Sequence, residues 1–244
     1  MRFLFLFLTA AFAVEMPTAD ALLTKVDANL VSASRTNKTV MTQSTPQRVR
    51  PPIEMVIMAR GSDKAAIEYF APARDKGQKM LREGTTMRMW QPESERVTTL
   101  SDNMLRDGMS GTDVSYEDMM ATSELRTSYN GAVTGQEPCG TGRTCWRMEL
   151  TAKNQTVAYT KRISLIDTEW NIPVIQHLYD LSGTLVKTWE MSDVTKIGDR
   201  WFPLKMVIIN KVQTGQSTTL VLSDVRFDVP LEDEVFTTRW LERH

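Results

Sequence analysis

The sequence predicts a mainly β protein built on one antiparallel sheet of about ten short strands, strongly curved or nearly closed. Three observations lead there. Apolar and polar residues alternate with period two over most of the chain beyond residue 38. Turn pairs such as Ser182-Gly183, Gly198-Asp199 and Gly215-Gln216 recur at short intervals. Only two stretches carry a helical pattern, so helices can cover the sheet but cannot form a layer of their own. With 244 residues and 41% hydrophobic content, the chain can bury a sizeable core. No repeat, low-complexity tract or composition break marks a second domain, so residues 14–244 are expected to form one domain.

Residues 1–13 read as a secretory signal. Arg2 is a one-residue basic start, Phe3-Leu4-Phe5-Leu6-Phe7-Leu8 opens an apolar run, and Ala11-Phe12-Ala13 is an A-x-A cleavage site. The run is too short to span a bilayer, which takes about 20 residues. Cleavage after Ala13 removes only Arg2 among the charged residues, leaving 28 Lys+Arg against 30 Asp+Glu. No Cys follows the cleavage site to carry a lipid anchor, and the mature protein is expected to be soluble beyond the membrane it crosses.

Thr18 can cap a helix running to about Val31, with Leu22, Leu23, Val26 and Leu30 on one face. Residues 32–38 are polar, lack periodicity and read as a loop. Strands are expected at 39–45, 53–60, 65–70, 78–83, 87–91 and 96–100, with Pro51-Pro52 at an edge, bulge or strand start. An insertion then interrupts the sheet. A short helical turn is expected at 101–106 behind Ser101 and another at 114–120, with Gly-rich residues 107–113 between them. Alternation resumes with Trp146, Met148 and Leu150 on one face, and Tyr159, Ile163 and Leu165 continue it. Further strands are expected at 175–180, 185–191, 201–211 and 218–227. Two helical regions are a small cover for such a sheet. They would lie in or over its mouth and leave room for a guest, or the interior would be filled by its own side chains.

Cys139 and Cys145 bracket Gly140-Thr141-Gly142-Arg143-Thr144, a Gly-rich turn between strand-like runs. Facing positions across a hairpin lie about 4.5–5.5 Å apart, within reach of a disulfide. Free thiols or a redox pair are the alternatives, and no neighbouring His supports them.

Most catalytic templates lack parts. The chain holds two His, of which His177 sits alone in a strand and His244 is terminal. Ser110 and Ser115 lie in the Gly-rich insertion without a G-x-S-x-G elbow. Glu117 and Asp118 are neighbours about 100° apart on a helix, a poor acid–base pair and better suited to capping or holding a nearby loop. No metal-ligand spacing or phosphate loop is present. Near-balanced charge, 29 Lys+Arg against 30 Asp+Glu, argues against a nucleic-acid surface. The expectation is therefore a protein that is not an enzyme and carries no metal or cofactor.

The chain has 15 Met, an unusual number. Met104, Met109, Met119 and Met120 fall in the insertion, and Met55, Met58, Met80, Met87 and Met89 on strands around it. Unbranched thioether side chains suit a wall that accepts a variable apolar guest, although each one taken singly is equally an ordinary core residue.

The stretches Ala21-Leu22-Leu23-Thr24-Lys25-Val26-Asp27, Ala59-Arg60-Gly61-Ser62-Asp63-Lys64, Phe70-Ala71-Pro72-Ala73-Arg74-Asp75-Lys76-Gly77 and Met89-Trp90-Gln91-Pro92 follow in order. With Gly111-Thr112-Asp113-Val114-Ser115-Tyr116-Glu117-Asp118-Met119 they extend over nearly the whole mature chain. In these stretches the sequence resembles the LolA-like family of outer-membrane lipoprotein-sorting proteins, in its larger periplasmic branch. The resemblance implies a half-open antiparallel β-barrel with a helical lid, as in LolA and LolB, carrying acyl chains of lipoproteins or lipids through the periplasm. It also implies an inner-membrane transporter of the ABC or RND type as donor, transient membrane contact, and an arginine that latches the lid, here Arg60 or Arg106.

The residue pattern and the resemblance meet on one expectation: the lid and the N-terminal helix compete with an acyl chain for the apolar cup. Leu105, Met109, Tyr116 and Met119 are the expected lid contacts, and Met55, Ile57, Phe70, Met89 and Trp90 the expected wall. A non-transporting sensor or assembly factor using the same cup for a protein partner is a second reading, and an esterase acting on envelope lipids a third. Trp240 is expected to pack on the barrel end or on a partner.

Overall fold

The computed structural model describes residues 15–120, 125–140, 142–154 and 157–243, and the expected signal segment 1–13 lies outside them. Helix α1 (Ala19–Leu30) begins where the Thr18 hydroxyl accepts a hydrogen bond from the Ala21 backbone N–H, a capping contact that satisfies a donor the helix cannot. It buries Leu22, Leu23 and Val26, the face its sequence period marks out.

Strands then follow in two runs. The first comprises β1 (Ser34–Ser44), β2 (Ile53–Arg60), β3 (Lys64–Ala71), β4 (Lys79–Glu83), β5 (Thr86–Gln91) and β6 (Arg96–Thr99). After the insertion come β7 (Tyr129–Pro138), β8 (Thr144–Ala152), β9 (Lys161–Asp167), β10 (Pro173–Tyr179), β11 (Leu185–Ile197), β12 (Arg200–Asn210) and β13 (Ser217–Phe227). All thirteen join one sheet in the order β6-β5-β4-β3-β2-β1-β13-β12-β11-β10-β9-β8-β7. The chain thus runs by antiparallel neighbours to one edge, crosses the insertion to the other edge, and returns to pair β13 with β1. β6 and β7 remain as free edges, so the sheet is not closed.

Thirteen strands replace the expected ten. β1 also begins at Ser34, within the stretch expected to be a loop. The reason is chemical: Arg35, Asn37 and Thr39 occupy the inward face of β1, so the alternation there is polar on both sides and carries no hydropathy signal.

The insertion contains α2 (Asp102–Leu105), a 3-10 turn at Met109–Gly111, α3 (Tyr116–Met120) and α4 (Leu125–Ser128). Between α2 and α3 the chain folds back on itself, with the Met109 N–H bonded to the Val114 carbonyl at 2.8 Å. Gly108 permits this fold, because a Cβ there would lie 1.9 Å from the Thr112 carbonyl oxygen. Gly131 of β7 plays a related part under α1, where a Cβ would meet the Ala19 methyl at 2.9 Å. Among the described residues no helix is long and apolar enough to cross a membrane.

The disulfide Cys139–Cys145 is formed, with Cα atoms 5.7 Å apart. Arg143 of the enclosed loop reaches across to the carboxylates of Asp167 and Glu169 and stacks its guanidinium 3.6 Å from the centre of the Trp170 ring. At the other end of the chain, a 3-10 turn at Asp233–Phe236 and α5 (Thr238–Leu241) fold onto the outer face of β3 and β4. There Phe236, Trp240 and Leu241 bury Ala66, Leu81 and Trp90, so Trp240 packs on the protein's own sheet.

Candidate functional site

The concave face carries two apolar clusters. One centres on β1–β5 with β12 and β13, and includes Met55, Ile57, Met80, Met87, Phe202, Ile208 and Leu222. The other lies under α1 on β7–β9, around Leu22, Val26, Met148, Leu150 and Ile166. Between them is a cavity of about 160 Å³. Its apolar walls include Leu30, Ile57, Leu178, Trp189, Met206 and Leu220, and its cover is Met119 of α3 with Leu125 of α4. On the measure used for such voids, where one water takes roughly 10–15 Å³, there is space for about a dozen water-sized groups. A second space of about 70 Å³ shares Leu30, Arg35, Ile57 and Met119 with the first and reaches the β2–β3 turn at Gly61 and Ser62.

The lid is part filler, part cover. Met109 and Val114 are fully enclosed in the first cluster, while Met104, Leu105, Tyr116 and Met119 pack against it half-buried. Polar residues fasten it to the wall. Ser115 and Asp118 form a capping box, each side chain accepting from the other's backbone N–H at 3.1 and 2.8 Å respectively. The same Asp118 carboxylate accepts from Lys187 Nζ on β11 at 2.7 Å and from the Tyr159 hydroxyl at 2.8 Å. Burial, and then the adjoining Asp118 charge, hold the Tyr159 phenol well above its ordinary pKa, so it remains a donor. Asp113 accepts from Thr218 Oγ1, Asn210 Nδ2 and Gln216 Nε2 at 2.7–2.9 Å. Arg50, ahead of β2, donates to the Gly111 carbonyl at 3.2 Å.

These residues hold the lid where Arg60 and Arg106 were expected to. Arg60 instead reaches the outer face, bonded to Asp233 and the Leu231 carbonyl above the Phe236 ring. Arg106 lies 3.9 Å from Glu117 within the insertion itself. Ser115, Asp118 and Asp113 all fall in the stretch from Gly111 to Met119, and the S-x-x-D spacing of the capping box is legible there. Lys187 and Arg50 carry no comparable signal.

The nine expected ligand contacts divide by strand parity. Ile57 and Met119 line both spaces. Met55 and Met109 are sealed in the first cluster, with Met89, Leu105 and Tyr116 packed at its margin. Phe70 and Trp90 do not belong to the wall. Phe70 neighbours inward Tyr69 on β3, points outward and is 47% exposed, while Trp90 neighbours inward Met89 on β5 and is buried beneath Trp240 on the outer face. Met58 likewise lies on the outer face, against the C-terminal segment.

Ser115 is committed to the α3 cap, and His177 Nδ1 sits 3.2 Å from Thr188 Oγ1 on the neighbouring strand. Burial followed by the charges of Lys211 and Arg147 lowers the His177 pKa, keeping the ring neutral at physiological pH. Polar groups do enter the cavity. Arg162 donates from Nε to the Tyr129 hydroxyl and lies over the Tyr129 and Tyr159 rings. Arg35 Nε, Asn37 Oδ1 and Trp189 Nε1 are closed off from solvent and have no hydrogen-bond partner. Burial lowers the Arg35 pKa to about 10, leaving the guanidinium charged near neutrality.

A protein-family model described as "Uncharacterized protein" matches residues 61–243. No curated protein matches the sequence. In structure the chain is similar to a DUF1329 family protein from Desulfovibrio piger, at 22% identity and TM-score 0.85 over 91% of this chain and 96% of that one. It is similar to a putative outer membrane lipoprotein-sorting protein domain from Vibrio parahaemolyticus, at 22% identity and TM-score 0.81 over 91% and 97%. A LolA superfamily protein from Nitrosomonas europaea shares 19% identity and TM-score 0.78 over 92% and 100%. At these identities the likeness is one of fold. With three quarters of its length inside the family match, the chain belongs to the family which that model describes, and its fold is similar to that of the LolA superfamily protein.

Proposed function

We propose that this protein is a non-enzymatic periplasmic carrier that shelters acyl chains of lipoproteins or lipids between the inner and outer membranes. The observation that carries this reading is the apolar cavity between the two core clusters, covered by Met119 and Leu125. The named relatives with lipoprotein-sorting and LolA-type folds support it by analogy. An inner-membrane transporter of the ABC or RND type would supply the cargo, and contact with either membrane would be transient.

Exposing a 16-carbon chain to water costs on the order of 12 kcal/mol, at about 0.8 kcal/mol per methylene. Full burial would bind cargo too tightly to release it. A lid that also has apolar residues to bury solves this. As cargo enters, half-buried Met104, Leu105, Tyr116 and Met119 give up contacts with the first cluster, and as it leaves they regain them. The polar latches set the depth of the closed state: Asp118 with Lys187 and Tyr159, and Asp113 with Thr218.

The test is mass spectrometry of organic extracts from protein purified out of the periplasm. The wild type should carry near-stoichiometric acyl lipid. Leu105→Glu and Met119→Glu place a carboxylate against the apolar wall and should remove most of it. Wild-type extracts free of acyl lipid would reject the carrier. Unchanged lipid in both variants would reject this lid.

A further inference from the structure

One charge on the larger cavity has no partner among the described residues. In the larger cavity, Asp27 lies 3.3 Å from Arg126, Asp118 is paired with Lys187, and Arg162 is engaged with Tyr129. Arg35 alone among its charged lining residues has neither a carboxylate nor a hydrogen bond to its Nε in the described structure. Its guanidinium lies 5.3 Å from the centre of the Phe202 ring. Arg35 also lines the smaller space.

A guanidinium stays ionised at neutral pH even when desolvated, so burial cannot relieve the charge by deprotonation. Leaving it without an acceptor is destabilising, and such a group in a native interior calls for a partner. A neighbouring orphan is also a donor: Trp189 Nε1 on the cavity wall has no acceptor, while Asn37 Oδ1, two residues from Arg35 on the inward face of β1, is a free acceptor that a donor on the occupant would satisfy.

We infer that the occupant of this site is an amphiphile with an anionic head, its head at Arg35 and its tail along the apolar cavity. This rests on the carrier reading and narrows its cargo. A carboxylate or phosphate monoester would take charge-assisted hydrogen bonds from Arg35, which water does not reach at Nε. An uncharged head, such as a primary alcohol or the diacylglyceryl group of a lipoprotein, would leave Arg35 uncompensated. The fatty carboxylate and the lipid phosphate share the chemistry, and the assay below separates them.

The experiment measures displacement of the neutral dye Nile red from delipidated mature protein by three ligands with the same C16 tail, each below its aggregation concentration. These are palmitate, palmitoyl lysophosphatidate and hexadecanol. At least one anion should displace the dye at roughly tenfold lower concentration than hexadecanol, and the stronger of the two identifies the head. Arg35→Met, which removes the charge, should abolish that preference, so that the three ligands displace the dye at similar concentrations. Arg35→Lys should retain part of it. Equal displacement by all three ligands from the wild type overturns the inference without need of any variant, as does an Arg35→Met protein that folds and keeps the preference. If Nile red does not bind and no ligand binds by equilibrium dialysis, the carrier reading itself fails, which is a different outcome.

Discussion

Asp167 and Arg35 are ionised side chains on one sheet, and their surroundings are opposite. Asp167 is fully enclosed, and its carboxylate accepts from Arg143 and from the backbone N–H groups of Glu169 and Trp170 at 2.9 and 2.8 Å. Burial raises its pKa, but the Arg143 guanidinium and those two donors outweigh it, and the carboxyl lies below its ordinary value. Arg35 is buried at its Nε with nothing to bond. The first arrangement fastens the β7–β8 hairpin to the β9–β10 turn. The second fastens nothing. Satisfied polar groups mark where the protein holds itself together, and on the carrier reading proposed above the unsatisfied ones mark where cargo would be held.

Substitutions can break or sharpen this contrast. The largest effect is expected at Asp167→Ala, which strands Arg143 and two backbone donors and should lower unfolding free energy by about 3 kcal/mol in urea titrations. Its signature is a pH dependence. A depressed folded-state pKa contributes stability that is fully present above the ordinary carboxylate value of 3.8 and is lost as pH falls through the lower folded value. The acid limb of the stability curve should therefore be flatter in Asp167→Ala. Replacing both Cys139 and Cys145 by Ser opens a short loop at the same end, and the loss should be about 2 kcal/mol by the same titration. Arg35→Met should do the reverse, leaving stability unchanged or raised by about 1 kcal/mol, because it removes an uncompensated charge. A clear loss of stability in Arg35→Met would make Arg35 a structural residue and end the contrast.

The elements that bury one clean face were legible in the sequence. Ile53–Arg60 is a strand at the expected bounds, and α1 starts at the expected Thr18 cap. β1 begins five residues before the hydropathy pattern shows it because its inward face is polar, and those polar residues turn out to line the cavity. Helical turns near 101–106 and 114–120 were legible in the insertion, although Ser101 makes no side-chain cap. Its fastening was not, since Lys187 on β11 and Arg50 in the loop before β2 are remote from it in sequence. The wall could have been read more sharply. Met89 and Trp90 are adjacent on one strand, so period two already forbids both from facing the same guest. Which of the two faced outward depended on the C-terminal segment, whose cover over Trp90 has no local sequence mark.

An unsealed sheet leaves two rims whose backbone donors and acceptors have no neighbour on one side, and such rims can recruit a stranger's strand. Both are poor templates here. β6 is four residues long, and β7 is interrupted by a register slip between Val133 and Gly135 and stops at Pro138, beside the sulfur bridge. The two rims are thereby kept from stitching one copy of the protein to the next.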